Sequence, residues 1–255
     1  ERRLLIADPD LPVLPLPAGC GYVLGDVFRQ GGGSSVTELP GSIAASAGRA
    51  LVDGCWGRYV ALIDEAPGGT VHVVRDPSGA IECLHGSTDG ALLVTSDASL
   101  AVVLGLVQPR IDWRFAAHFL AYPHLPLERT GLVGLRGTRP GCCDTFADGG
   151  VRTLTYWTPW RYAAAERRLV SLAHAAEQLH DRIIDTVEAL ARQFRSILVE
   201  LSGGLDSSIV AASLAGAARQ TAALNIATEG PEGDERRHAR SVADRLSLPL
   251  ADCVV

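Results

Sequence analysis

The chain has 255 residues, 47% hydrophobic and 20% charged, which is enough apolar material for a sizeable core and excludes global disorder. Its formal charge is −6, every one of its 23 basic residues is arginine, and acidic and basic residues are interleaved with no basic block, which gives no sign of a nucleic-acid partner. No apolar run reaches membrane-spanning length and no signal-peptide pattern is present, so no membrane association is expected.

Residues 1–18 are punctuated by Pro9, Pro12, Pro15 and Pro17 and read as extended chain. Tyr22–Phe28 reads as a strand that ends in a Gly31-Gly32-Gly33 loop, and residues 40–53 as a weak helix. A meander follows: Arg58–Ile63, a turn at Pro67-Gly68-Gly69, Thr70–Val74, a hairpin turn at Asp76-Pro77-Ser78-Gly79, then Ala80–His85 and Ala91–Thr95. Residues 96–105 and 112–120 read as helices, each led by Asp or Ser in capping position. Gly131–Tyr156 holds another hairpin pattern, turning at Ala147-Asp148-Gly149-Gly150.

A boundary is expected near Trp157-Thr158-Pro159-Trp160, giving domains 1–160 and 161–255. Beyond it Leu172, Ala176, Leu179, Ile183, Val187, Leu190 and Phe194 recur in steps of three and four, the stripe of an amphipathic helix. Ile197–Leu201 reads as a buried strand, Ile209–Ala215 as an apolar helix and Thr221–Ala227 as a second strand. A turn at Pro231-Glu232-Gly233-Asp234, a helix over 235–247 and a third strand from Leu248 to Val255 complete a βαβαβ pattern, which predicts a parallel, doubly wound sheet. Ligands in such sheets sit at the carboxyl ends of the strands.

At that edge stands Ser202-Gly203-Gly204-Leu205-Asp206-Ser207-Ser208, a tight glycine turn between a strand and a helix. Two glycines permit close backbone approach and positive φ, and the helix start adds unpaired N–H groups and partial positive charge. Ser202, Ser207 and Ser208 offer hydroxyls, and Asp206 can hold Mg²⁺ against phosphate oxygens. A serine-capped helix is the plainer reading, but seven consecutive residues in this setting favour a phosphate cradle. It lacks the Gly-Lys-Ser/Thr of a Walker loop and the GxSxG of a hydrolase elbow. Asp234-Glu235 either faces the nucleotide or caps the next helix, and the capping reading weighs more. The seven histidines (72, 85, 118, 124, 174, 180, 238) form no metal-binding pair, and the six cysteines form no CxxC; they read as reduced thiols of a cytoplasmic protein, mostly small buried residues. With no Met anywhere and an end in mid-strand, the sequence reads as part of a longer polypeptide.

SGGLDSS resembles the pyrophosphate loop of the ATP pyrophosphatase group, which includes asparagine, GMP and NAD synthetases. Upstream, Cys55-Trp56-Gly57-Arg58-Tyr59-Val60-Ala61, Val74-Arg75-Asp76-Pro77-Ser78-Gly79, Thr95-Ser96-Asp97, Arg139-Pro140-Gly141 and Tyr156-Trp157-Thr158-Pro159 occur in the order of class B asparagine synthetases. That resemblance implies a glutaminase-like α-β-β-α sandwich followed by the start of an ATP-pyrophosphatase domain. The sequence departs from the family in having no Cys before Cys20, no RGPD-type segment, and Leu24-Gly25-Asp26-Val27-Phe28 in place of an Asn-Gly-Glu strand. Gly25-Asp26-Val27-Phe28-Arg29, Arg75–Ala80 and Tyr156–Trp160 look most like the lasso-peptide cyclases, with asparagine or β-lactam synthetases as the alternative and a non-enzymatic peptide-binding relic less favoured. The resemblance implies ATP and Mg²⁺ as cofactors, and a precursor peptide, a leader-peptide-binding protein and a leader protease as partners. It further implies Leu201, Ser202, Gly203, Gly204, Leu205, Asp206, Ser207, Ser208 and Ile226 at the nucleotide, Asp206 on the metal, and a second acidic motif and a catalytic lysine beyond Val255.

Overall fold

The computed structural model describes residues 8–31, 33, 35–65, 69–123, 125, 127–169, 171–215, 220–228, 230 and 234–254. Parts of the expected turns (Gly32, residues 67–68 and residues 231–233) and Val255 lie outside the described residues. The chain divides into two compact units, Glu1–Gly31 with Ser35–Ala165, and Gly32–Ser34 with Glu166–Val255.

The first unit runs β1 (Val13–Pro15), β2 (Gly21–Arg29), α1 (Ser42–Ala45), α2 (Arg49–Gly54), β3 (Cys55–Asp64), β4 (Val71–Arg75), β5 (Leu84–Thr88), β6 (Ala91–Thr95), α3 (Ala98–Val103), α4 (Trp113–Ala121), β7 (Arg136–Gly137), β8 (Cys142–Ala147) and β9 (Gly150–Thr155). A six-stranded antiparallel sheet has the order β1-β2-β3-β4-β8-β9, and a three-stranded one the order β6-β5-β7. Period-two alternation on β3 explains the layering. Tyr59, Ala61 and Ile63 join a core with Ile43 and Leu51 of α1 and α2, while Val60 and Leu62 join one with Val73, Cys83, Val94 and Phe146. Each large side chain so buried contributes about 1.5–3 kcal/mol. Of α3 only Ala101 is buried, and of α4 nothing is.

Local chemistry sets many boundaries. Asp97 accepts from the N–H groups of Ser99 (2.7 Å) and Leu100 (3.1 Å), and Asp112 from those of Arg114 (3.0 Å) and Phe115 (3.1 Å), capping α3 and α4 as expected. Asp148 (φ 50°) and Gly149 (φ 74°) close the β8–β9 hairpin as a two-residue turn with both φ positive. The single helix expected over 40–53 is two, broken where Ala47 (φ 51°) and Gly48 (φ 82°) turn left-handed.

One expected hairpin is absent. β4 pairs with β3 and β8, whereas the strand placed at Ala80–His85 lies at Leu84–Thr88 in the other sheet. Side chains explain the difference. Asp76 is fully buried and accepts from the N–H groups of Tyr59 (3.2 Å), Ser78 (2.7 Å) and Gly79 (3.2 Å). Arg75 donates to the carbonyls of Gly79 (2.7 Å), Ile81 (2.8 Å) and Thr138 (3.0 Å). These bonds take up backbone groups that a hairpin ladder would need, and they carry the chain from one sheet into the next. Asp76-Pro77-Ser78-Gly79 is therefore structural, although its turn closes no hairpin.

The second unit runs α5 (Leu172–Ala191), β10 (Ser196–Glu200), α6 (Leu205–Ala215), β11 (Gln220–Ala227), α7 (Arg236–Leu246) and β12 (Leu250–Val254). The three strands are parallel, in the order β10-β11-β12. Ala191 of α5, Ala211 and Leu214 of α6, and Ala239 and Ala243 of α7 share one core with Val199 and Ala223 of the strands and with Leu201 just past β10. On the other face Leu198 is 65% and Ile226 44% exposed. Double winding places helices on both faces; the described helices cover one. Strand order follows chain order here, and successive crossovers of one hand then land on the same side. No described helix is long and apolar enough to cross a membrane. The six cysteines are free; Cys83, Cys142 and Cys143 are buried, and Cys253 is exposed.

Candidate functional site

β10 delivers the chain to the sheet edge, and Leu201 adds one further ladder bond, its N–H donating to the Leu224 carbonyl (2.8 Å). Gly203 then takes φ +82° and presses on α7: an added Cβ would lie 2.4 Å from the His238 carbonyl carbon and 2.5 Å from the Ala239 nitrogen. Only glycine fits both the left-handed backbone and that approach. α6 begins at Leu205, and its first helical bond runs from Ser208 N–H to the Gly204 carbonyl (3.1 Å). The N–H groups of Leu205, Asp206 and Ser207 precede it and are the open donors of the helix start.

The three serines shape the turn. Ser202 Oγ accepts from Gly204 N–H (3.2 Å) and shares a hydrogen bond with Ser207 Oγ (3.0 Å), while Ser208 Oγ donates to the Gly204 carbonyl (2.6 Å). These hydroxyls make their hydrogen bonds within the loop, and the N–H groups at the helix start are the donors that a phosphate would meet. Asp206 is exposed in the first turn of α6, with no ion pair or hydrogen bond among the described residues. Its carboxylate is an oxygen donor of the kind that Mg²⁺ takes together with oxygens of a bound phosphate. The donor set fits such an ion.

The other sequence candidates fall differently. Leu201 is fully buried and its side chain belongs to the core, so only its backbone can front a ligand; Leu205 (76% exposed) and Ile226 are open. Asp234 accepts from Arg236 N–H (3.1 Å) and is held by the Arg236 guanidinium (2.6 and 2.8 Å). The Arg236 side chain, then its N–H, keeps this carboxyl at about 2. Asp234 is thus occupied at the start of α7, and Glu235 is the N-cap residue without a side-chain cap bond. Asn225 belongs to none of the sequence motifs; it is 1% exposed and donates from Nδ2 to the Leu201 carbonyl (2.8 Å). Its signal was a lone amide between Leu224 and Ile226 at a buried strand position.

In the first unit a cavity of about 740 Å³ is bordered by His85, Ser87, Arg129, Arg136, Phe146 and Val151. His85 lies 3.4 Å from the buried Asp144 carboxylate. Burial alone would raise the Asp144 pKa, but contacts from His85, Thr153 and Thr138 outweigh it and hold the carboxyl below its usual range. A depressed carboxylate stabilises the fold above the unfolded pKa of about 3.9, and that contribution disappears as pH falls through the folded value. Asp144→Asn is accordingly expected to cost about 2–3 kcal/mol at neutral pH and to lose less stability than the wild type between about pH 5 and pH 2, read from melting temperatures across that range.

A family model for asparagine synthase matches residues 178–255, which include the loop, β10–β12 and α6–α7. No curated protein matches the chain. Among solved structures, an allosteric regulatory enzyme of purine biosynthesis is 10% identical with a TM-score of 0.33, over 95% of this chain and 62% of that one. A glutamine phosphoribosylpyrophosphate amidotransferase from B. subtilis, complexed with ADP and GMP, is 12% identical with a TM-score of 0.32, over 94% of this chain and 47% of that one. The chain thus spans less than two thirds of either structure.

Proposed function

We propose that this protein is an ATP-dependent amide-forming ligase that releases AMP and pyrophosphate, and within that class a lasso-peptide cyclase. The observation that carries the ligase reading is the SGGLDSS turn at the carboxyl end of a parallel strand, inside the segment matched by asparagine synthase. Open N–H groups at the start of α6 would hold the pyrophosphate portion of ATP. Asp206 would hold Mg²⁺, which when bound supplies neutralisation of charge on the phosphate oxygens. Ile226 and the Leu201 backbone would border the adenosine.

In the proposed reaction an Asp or Glu carboxylate of a precursor peptide attacks the α-phosphorus, and pyrophosphate leaves. The peptide's N-terminal amine then attacks the acyl-adenylate carbonyl, an amide bond forms, and AMP departs with loss of a proton from the amine. The residues of this chain bind and orient the phosphates; by the same reading a leader-peptide-binding protein and a leader protease supply the peptide, in the cytoplasm. Support for the peptide's own amine over glutamine as nitrogen source comes from Asp26, 7% exposed and bound by Arg58 (3.1 Å) on the strand where a glutamine clamp would lie.

ATP–pyrophosphate exchange tests both levels. Exchange should require a peptide carrying an internal Asp or Glu, and ring closure a free N-terminus. Glutamate formed from glutamine in step with ATP use would sink the cyclase reading, and conversion of free aspartate would identify an asparagine synthetase. Absence of exchange with every carboxylate tried would remove the ligase itself.

A further inference from the structure

The loop is held from below by a residue that none of the motifs contains. Asn225 is the only asparagine in the chain and lies on β11 at the buried parity of Ala223 and Ala227. Its Nδ2 donates to the carbonyl of Leu201, the residue immediately before Ser202. The N–H of Leu201 is tied to the Leu224 carbonyl. Backbone therefore anchors one side of Leu201 and the Asn225 amide the other, so the turn leaves the sheet from a fixed direction.

The amide's orientation follows from chemistry: a carbonyl only accepts, so Asn225 must turn its NH₂ toward Leu201. Oδ1 is then left buried with no hydrogen-bond partner among the described residues. A core position filled by an amide that meets only half its hydrogen bonding is less stable than one filled by an apolar residue of the same shape. Leucine would serve the fold as well or better; what it would not supply is the grip on the last carbonyl before the cradle.

We propose that Asn225 is a positioning residue for the phosphate loop, setting the direction in which Ser202–Gly204 leaves the sheet and so the aim of the donors at the start of α6. This rests on the ligase reading above, since the loop's ligand is taken to be the pyrophosphate of Mg·ATP. Misplacing such donors by a fraction of an ångström weakens every phosphate contact together.

The test compares wild type with Asn225→Leu, similar in shape but unable to donate. Three quantities are read: melting temperature, hydrogen exchange at the Leu201 and Gly204 amides without ligand, and the dissociation constant for Mg·ATP. Expected are exchange at those amides and a dissociation constant each raised about tenfold, the worth of one hydrogen bond of ordinary strength, with melting temperature held or increased. A lowered melting temperature with unchanged exchange and unchanged affinity would make Asn225 an ordinary core residue and overturn the proposal. If Asn225→Leu does not fold, Asn225→Ser, whose hydroxyl is a bond too short to reach the carbonyl, decides by the same readings. Failure of the wild type to bind Mg·ATP would remove the ligase reading, and the exchange comparison would still decide whether Asn225 holds the loop.

Discussion

Asp206→Ala is expected to reduce ATP–pyrophosphate exchange on the order of 10³-fold or more while leaving the melting temperature nearly unchanged. The two halves of that expectation have separate physical grounds. Asp206 is exposed and touches no partner among the described residues, so its removal leaves no cavity and no orphaned cation. Its one structural service is a negative charge near the positive end of α6, a modest and salt-screened term. Its functional service is proposed to be a carboxylate on Mg²⁺, and no other residue of Ser202–Ser208 carries a charge to replace it. Exchange at wild-type rates in this variant would remove the metal role. Loss of folding would mean that the carboxylate does structural work that its surroundings do not show.

Gly203→Ala should damage the site by the opposite route, through the fold. The added methyl would meet backbone atoms of His238 and Ala239 at 2.4 and 2.5 Å, and backbone cannot swing aside as a long side chain can. The left-handed φ of +82° costs alanine about 1–2 kcal/mol besides. Either α7 moves outward or the turn changes shape, and in both cases the cradle loses its aim. A fall in Mg·ATP affinity of roughly 10²-fold is expected, together with a lowered melting temperature. Gly204→Ala is the control. Its methyl would meet only Ser202 Oγ, at 3.3 Å, and its backbone is not left-handed. Its melting temperature should stay within a degree or two of wild type, which corresponds to only a few tenths of a kcal/mol. Equal melting temperatures for the two variants would show that the contact with α7 does not constrain the loop.

Asp206 and Gly203 also separate what can be read along the chain from what cannot. The placement of Asp206 in the first turn of α6 is legible because strand, glycine turn and helix start are consecutive. The same holds for Asp97 and Asp112, whose cap bonds close within three residues, and for Asp148-Gly149, whose turn needs only its own two φ angles. The helix expected from the stripe Leu172 to Phe194 is α5, which ends at Ala191 and leaves Phe194 outside it. For the caps and the hairpin turn, the groups that satisfy one another lie within one turn of helix or one hairpin, so sequence by itself determined them.

The remaining decisions involve partners far along the chain. Gly203 meets residues 238 and 239, and Asn225 reaches back to Leu201; neither contact leaves a trace in local spacing. The strand after β4 followed Arg75 and Asp76, because those side chains took the carbonyls and N–H groups that a hairpin ladder would have used. The helices of the second unit share one face because its strands lie in chain order, a fact of sheet assembly that alternation of strands and helices does not contain. Backbone hydrogen bonds between strands are chemically alike at every position, so pairing is settled by which side chains and edges remain unsatisfied once the whole chain has collapsed. Sequence alone determined the local form of the loop, a glycine turn between a strand and a helix start; tertiary structure decided what holds that loop in place.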